Sequence, residues 1–303
     1  MLMRQQDWFR LIALAAIWGM SFLFLRILVP KLGPIWTAEL RTLLAGLALL
    51  CVCIAVRQRL QLFKRWKEYL VVGLLNSAAP FTLFAYAALT LPVAYLAILN
   101  ATAPMFGTIF GAVLLRERPG FLNLLGLVIG GIGVGLVVGL GSLELAPKVV
   151  LSIGAGLLAA MCYGLNGAYT KRHLTGAGPL AISCASQLFG AVLLIPLLPL
   201  VPVRAPASQI FTMQIIGCVL GIAIVCSAVA YIIYYRLIKD VGPARALSVT
   251  FLIPVFAAFW AWIILTETIR MQTLIGGGVV LLGTLLVLRP SANNAASAAT
   301  QRN

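Results

Sequence analysis

The sequence predicts an all-α membrane protein of ten transmembrane helices, arranged as two inverted five-helix repeats with N- and C-termini cytoplasmic. Three observations carry that expectation. First, 62% of the 303 residues are hydrophobic and 10% are charged, with a mean hydropathy of +1.06. A water-soluble fold has no interior large enough for so much apolar surface, and a bilayer supplies the missing solvent. Second, charges, Pro and Gly divide the chain into ten apolar runs of about 20 residues, the length that crosses a hydrocarbon core. Third, residues 91–138 and 241–288 repeat one pattern without a gap, at a spacing of 150.

The spans follow in order. Run 8–28 closes before Lys31, and run 34–56 opens at Pro34 and stops at Arg57. A basic loop holding Lys64, Arg65 and Lys67 precedes run 69–90. Run 92–115 opens at Pro92 and ends at Arg116; run 120–140 opens at Gly120 and is Gly-rich. Run 149–170 lies between Lys148 and Lys171, and run 179–201 between Pro179 and Pro202. Run 210–235 stops at Arg236, run 243–265 before Glu267, and run 271–289 before Pro290. Loops of a few residues make successive helices antiparallel neighbours. The domains are expected to be a first repeat over 1–140, a second over 141–289, and a small, polar, disordered tail over 290–303.

Orientation follows from Lys and Arg. With the N-terminus inside, the inside segments hold sixteen basic residues and the outside segments five, and the positive-inside rule then puts both termini in the cytoplasm. The net charge of +15 is spread over these short loops and is not gathered with aromatics on one face, so nucleic acid is not an expected partner. Five spans per half is an odd number, so the halves insert upside down relative to each other. Pro104, Glu117, Gly126 and Gly133 recur as Pro254, Glu267, Gly276 and Gly283. Weaker echoes at a spacing of 145 join Trp18-Gly19 to Tyr163-Gly164, Arg26 to Lys171, and Gly33-Pro34 to Gly178-Pro179. Inverted repeats of this kind are a transporter architecture.

The early "AIWGMSF" (Ala16–Phe22), Arg41 in the second helix, and two Pro-to-Glu units, each followed by a Gly-rich helix, resemble the EamA-type members of the drug/metabolite transporter superfamily. The resemblance covers residues 8 to 289 and, within the superfamily, is similar to the bacterial exporters of aromatic amino acids. It implies a multi-pass carrier in the bacterial inner membrane. One departure is that the second acidic motif reads "LTETI", with no basic residue beside Glu267, where the first reads "LRERP"; the two ends are therefore expected to dock differently.

No catalytic constellation is visible, so no enzyme activity, metal or cofactor is expected. The single histidine, His173, sits among basic residues, and the six cysteines fall in apolar runs without metal-ligand spacing. Polar groups within spans are costly in lipid and tend to face the bundle interior. In the first half these are Trp18, Ser21, Asn76, Ser77, Tyr86, Asn100 and Thr102. In the second half they are Tyr163, Asn166, Gln187, Ser227, Tyr231 and Thr250, with Phe251 beside them. Apart from Thr102 and Gln187 these are the candidate substrate contacts, in a central site lined by helices 1, 3, 4, 6, 8 and 9. Proline cannot donate to the carbonyl four residues back. Pro104 and Pro254 therefore free the carbonyls of Asn100 and Thr250 and are the candidate gate hinges. Glu39 and Arg41 are candidates for coupling or for drawing carboxylates into an outer vestibule; lying two apart on a helix they face different ways, so one is expected to snorkel outward.

Small-xxx-small glycine pairs predict close helix packing within the chain, with a homodimer face as the alternative. Trp8, Trp36, Trp66 and Tyr69 mark span ends at headgroup level. The expected function is export of amphipathic metabolites, aromatic or other neutral amino acids first, by alternating access. A multidrug or cation exporter of the same fold and an intramembrane lipid-handling enzyme are the alternatives. The expected partners are a small-molecule substrate and the bilayer, for a monomer or homodimer.

Overall fold

A computed structural model describes residues 4–139, 146–241, 246–268 and 270–288. The 290–303 tail, the junction between the two proposed halves, and Pro243, Arg245, Arg289 and Arg302 lie outside the described residues. Within them the chain is helical, with no strand. Seven helices are long and apolar enough to cross a membrane. They are α1 (Gln5–Leu32), α2 (Pro34–Ala55), α3 (Trp66–Ala87), α4 (Val93–Leu115), α6 (Pro147–His173), α7 (Pro179–Leu200) and α8 (Met213–Val241). Three shorter apolar helices complete the set: α5 (Phe121–Gly139), α9 (Val249–Leu265) and α10 (Met271–Val287). The chain is thus a multi-pass membrane protein.

Charges did not end helices where expected. α1 begins near Arg4 because Asp7 accepts the backbone N–H of Arg4 and pairs with Arg10, which also reaches Asp240 at the end of α8. Two helices contain π-helical turns, α3 at Leu74–Ala78 and α8 at Gly221–Val229. In α3 the cause is Pro80, which cannot donate to the carbonyl of Asn76. In α8 the Ser227 hydroxyl donates to the Ile222 carbonyl five residues back, at 3.0 Å. α4 is interrupted by a turn at Ala101–Thr102.

The helices pair selectively. α5 packs on α10, α2 on α7, α1 on α9, and α4 on α6. α3 lies against α6 and α7, and α8 against α1 and α2. Glycines set the closest approaches. A Cβ added to Gly126 would lie 2.5 Å from the Gly283 carbonyl oxygen, and one on Gly133 2.5 Å from the Val280 nitrogen. One on Gly19 would meet the α9 backbone at 2.8 Å, and one on Gly164 the α4 backbone at 2.6 Å. These glycines serve packing within the chain. A Cβ added to Gly131, Gly135, Gly217 or Gly278 would meet nothing within 4 Å outside its own helix backbone among the described residues.

The ends of α4 and α9 are built alike. Each closes on a non-glycine residue in the left-handed region, Arg116 (φ 57°) and Thr266 (φ 53°), and the next N–H returns to Gly111 or Ala261 at 3.2 Å. Both acids that follow are ion-paired: Glu117 with Lys171 of α6 at 2.5 Å, and Glu267 with Arg26 of α1 at 3.5 Å. The two docks thus share an ion pair to a distant helix and still differ as expected, since Glu267 Oε2 also accepts the Val93 backbone N–H at 3.0 Å. The base opposite Glu267 comes from another helix, at the position that echoes Lys171, so no basic neighbour in the motif is needed. Tyr69, in the first turn of α3, is 1% exposed and donates to the Leu60 carbonyl at 2.9 Å, so its ring packs against the protein.

Gly133→Val is expected to cost about 1–3 kcal/mol, the usual penalty for overpacking. Gly131→Ala is expected to cost nothing. Thermal melts in detergent check both, and equal melts for the two variants would refute this account of α5 and α10.

Candidate functional site

A cavity of about 470 Å³ lies among the helices. Its wall comes from α1 (Trp18, Ser21, Phe22, Leu25), α3 (Asn76, Phe81, Phe84), α4 (Asn100, Ala103, Pro104, Gly107, Thr108), α6 (Tyr163, Gly164, Gly167), α8 (Cys226, Tyr231, Tyr234) and α9 (Val249, Thr250, Ile253). Arg41 of α2 also enters it. One end reaches Glu117, Leu247 and Leu288, at the ends of α4 and α10 and the start of α9. Beyond the other end, Leu28, Ala88 and Leu91 are fully buried, and Arg26 donates to the Ala88 carbonyl at 2.8 Å besides pairing with Glu267.

The six predicted helices all contribute, and α2 joins them through Arg41. Trp18, Ser21, Asn76, Asn100, Tyr163, Tyr231, Thr250, Pro104 and Arg41 stand in the wall. Ser77, Tyr86, Asn166, Ser227, Phe251, Pro254 and Glu39 do not. Asn166 donates to Asn76 at 3.2 Å, and Asn76 donates to Ser186 at 3.1 Å and to the Tyr231 hydroxyl at 3.3 Å. Asn76 thus has both amide hydrogens engaged and holds Tyr231 in place. Ser77 is buried against Ser186. Tyr86 is 38% exposed on the far side of α3.

The π turn explains the exchange of Tyr86 for two phenylalanines. An α-helix turns about 100° per residue, so plain counting from Asn76 leaves Tyr86 about 80° away and Phe81 about 140° away. A π turn absorbs roughly one residue's rotation. Phe81 and Phe84 then swing to the Asn76 face and Tyr86 swings off it. Tyr234, three residues past Tyr231, had a helical-spacing signal in the sequence. Cys226 and the glycines of the wall had none.

The prolines are not equivalent. Pro104 is the second residue of the helical piece that starts at Ala103, where no intrahelical donor is needed, so it marks the break without weakening the helix. The carbonyl of Ala101, at the break, accepts from Thr284 of α10 at 2.9 Å. Pro254 is the sixth residue of α9 and does remove a bond to Thr250. Both Asn100 and Thr250 face the cavity.

Arg41 and Glu39 also differ from expectation. Glu39 does not snorkel: it is 2% exposed, and its Oε2 makes no hydrogen bond. Arg41 is 8% exposed; its guanidinium sits 3.7 Å from the Phe81 ring centroid, and Nε donates to Ser227 at 3.1 Å. The cavity it lines extends to the Glu117 end. Rings stand on two sides: Trp18 lies 5.3 Å from Tyr234 and 6.4 Å from Tyr231, and Phe84 lies 5.5 Å from Phe22 and 6.2 Å from Tyr163. The Ser21, Thr108 and Thr250 hydroxyls donate to their own helices, leaving only lone pairs toward the cavity. A ring-lined volume with few free polar groups fits an amphipathic small molecule.

The family model of the EamA-like transporters matches residues 8–139 and again 150–289. The chain is 23% identical to an uncharacterized transporter of Archaeoglobus fulgidus, over 94% of this chain and 99% of that protein. It is 25% identical to Protein PecM of Dickeya dadantii, over 90% and 88%. It is 24% identical to a "Probable terminal-alkyne amino-acid exporter" of Streptantibioticus cattleyicolor, over 69% and 68%. A crystal structure matches with a TM-score of 0.62 at 17% identity, over 94% of this chain and 96% of its own, which shows a shared fold.

In a background without native cysteines, Thr108→Cys is expected to react with a water-soluble maleimide, while Leu91→Cys, at a position 0% exposed, is not. Mass spectrometry of the labelled protein checks this, and equal labelling would remove the cavity as described.

Proposed function

The chain belongs to the EamA-like transporter family, and from this we propose that it is a bacterial inner-membrane carrier that exports amphipathic metabolites by alternating access. Aromatic and other neutral amino acids are the first candidates. The observation that carries this reading is the ring-lined cavity, open toward one end of the bundle and packed shut at the other. The printed name of one relative, an amino-acid exporter, supports the substrate class.

In this reading residues 1–140 and 141–289 are inverted halves with both termini cytoplasmic. The helix pairings support it. Exchanging each helix for its counterpart in the other half turns the α1–α9 pair into α6–α4, α3–α6 into α8–α1, and α3–α7 into α8–α2. The pairs α2–α7 and α5–α10 map onto themselves. The basic-residue count assigns the Glu117 end to the cytoplasm, so the cavity is inward-open. Rocking or bending of α3, α4, α8 and α9, with Pro104 and Pro254 as hinges, would close that end and open the other. Trp18, Ser21, Asn100, Tyr163, Tyr231 and Thr250 contact the ligand. Asn76 stands in the wall with its amide engaged by its neighbours, and Ser77, Asn166 and Ser227 hold the wall from behind. Tyr86 and Phe251 are not among the wall residues and are not contacts in this reading. Glu39 is the candidate for proton coupling, since it is buried without a partner for Oε2.

A cation exporter would want a free carboxylate deep in the wall, but the wall's carboxylate, Glu117, sits at the end of the cavity paired with Lys171, and the buried charge is Arg41, which disfavours that rival.

Purified protein in liposomes is expected to give saturable flux of labelled tryptophan, phenylalanine or threonine and little flux of a cationic dye. No flux of any amino acid sinks the reading. Trp18→Ala and Tyr163→Ala are expected to raise KM about tenfold each, the scale of a lost aromatic contact of ~1.4 kcal/mol. Pro254→Ala is expected to lower kcat more than KM. A Glu39→Gln carrier with the wild-type rate at every pH removes the coupling role.

A further inference from the structure

We infer that Arg41 is the anchor for a carboxylate of the transported molecule, and that a free carboxylate is a condition of being carried. This rests on the cavity being the transport site and adds the chemical group that site selects.

Arg41 as a whole residue is 8% exposed, so its charge has lost much of its hydration, at a cost of several kcal/mol unless an anion compensates. Among the described residues no carboxylate lies within ion-pair distance of it. Glu39 is two positions away on another face of α2, and Glu117, at the cavity end, is held by Lys171. The side chain is nonetheless fixed. Its flat face lies on Phe81, its Nε is bonded to Ser227, and Ser227 is bonded in turn to the Ile222 carbonyl. Phe81 and Ser227 orient the charge without neutralising it. Among the described residues neither Nη nitrogen has a hydrogen-bond partner, and the residue forms part of the cavity wall. Two adjacent N–H donors presented as a fork match the two oxygens of a carboxylate.

The rest of the wall suits the other end of such a molecule. On α4 and α9, the hydroxyls of Thr108 and Thr250 are acceptors, and the Asn100 and Thr250 carbonyls have a proline where their helical donor would be. That wall accepts an ammonium without presenting an acid to it. Rings of α1, α6 and α8 flank the space between. A decarboxylated amine would keep the acceptors and rings but would set its positive charge in one small cavity with an uncompensated guanidinium.

The test uses the full chain in nanodiscs and matched pairs of probes: tryptophan against tryptamine, phenylalanine against phenethylamine, and leucine against isoamylamine. Equilibrium binding is measured for each, with 3-indolepropionate as an acid without an ammonium. The acid of each pair is expected to bind at least tenfold tighter than its amine, and 3-indolepropionate to bind more tightly than tryptamine. Arg41→Gln is expected to remove the preference by weakening the acids at least tenfold, and Phe81→Leu to weaken them less. Melting temperature and gel filtration confirm that the variants fold; if Arg41→Gln does not, the wild-type pairs decide alone. Amines binding as tightly as acids, or no acid binding at all, overturns the inference. The same probes are followed for flux in liposomes: tight binding and flux of the amines would leave the carrier reading standing, whereas absence of flux for every probe would end that reading instead.

Discussion

A bilayer gives apolar helices no hydrophobic reward for meeting, because lipid tails are as apolar as leucine. What holds this bundle is close contact between backbones, and that is possible only where a side chain is missing. Gly126 and Gly133 against α10, Gly19 against α9 and Gly164 against α4 are the points where it occurs. The cavity exists because the helices between these points are prevented from packing as tightly. π turns in α3 and α8 and the broken turn in α4 push side chains out of register there. Close contact at the glycines and poor packing around Arg41 are two results of the same geometry.

Much of the fold was legible because the physics of spanning is coarse. Length, apolarity and the placement of Lys and Arg need no partner to be read. The glycine pairs and the Pro-to-Glu units also survived as patterns, since each marks a backbone event. The site was legible only in part. Asn100 and Tyr163 were found because polar atoms in lipid are rare. Phe81, Phe84 and Cys226 were not, because in a chain this apolar a phenylalanine of the wall reads like one of the core. Tyr86 was misplaced by the single π turn between it and Asn76, which rotates everything after it. The bases that meet Glu117 and Glu267 sit on distant helices, so a motif read locally could not supply them.

The wall separates polar groups that are engaged from those that are free. Asn76, Ser186, Tyr231 and Asn166 are bonded to one another, which stiffens one side. Arg41 is held in place but left uncompensated. A buried group that is positioned and unpaired is costly in the empty protein, and the cost is relieved when a ligand of opposite charge arrives. Selection by charge then comes from the protein's own instability at one atom group more than from the number of contacts made.

The two ion pairs carry one more consequence. Arg26 with Glu267 fastens α1 to α9, and Lys171 with Glu117 fastens α6 to α4. Each pair is also welded by a glycine, Gly19 or Gly164, against its partner's backbone. Each fastened pair takes one helix from the first half of the sequence and one from the second. The cavity lies between these two pairs, with Trp18 and Thr250 on one and Asn100 and Tyr163 on the other. The family model matches each half of the sequence separately, but the bodies fastened in the fold are hybrids of the two. In the proposed carrier cycle it is these hybrids that would part, and a change in α1 would be carried by α9, its partner in the opposite half.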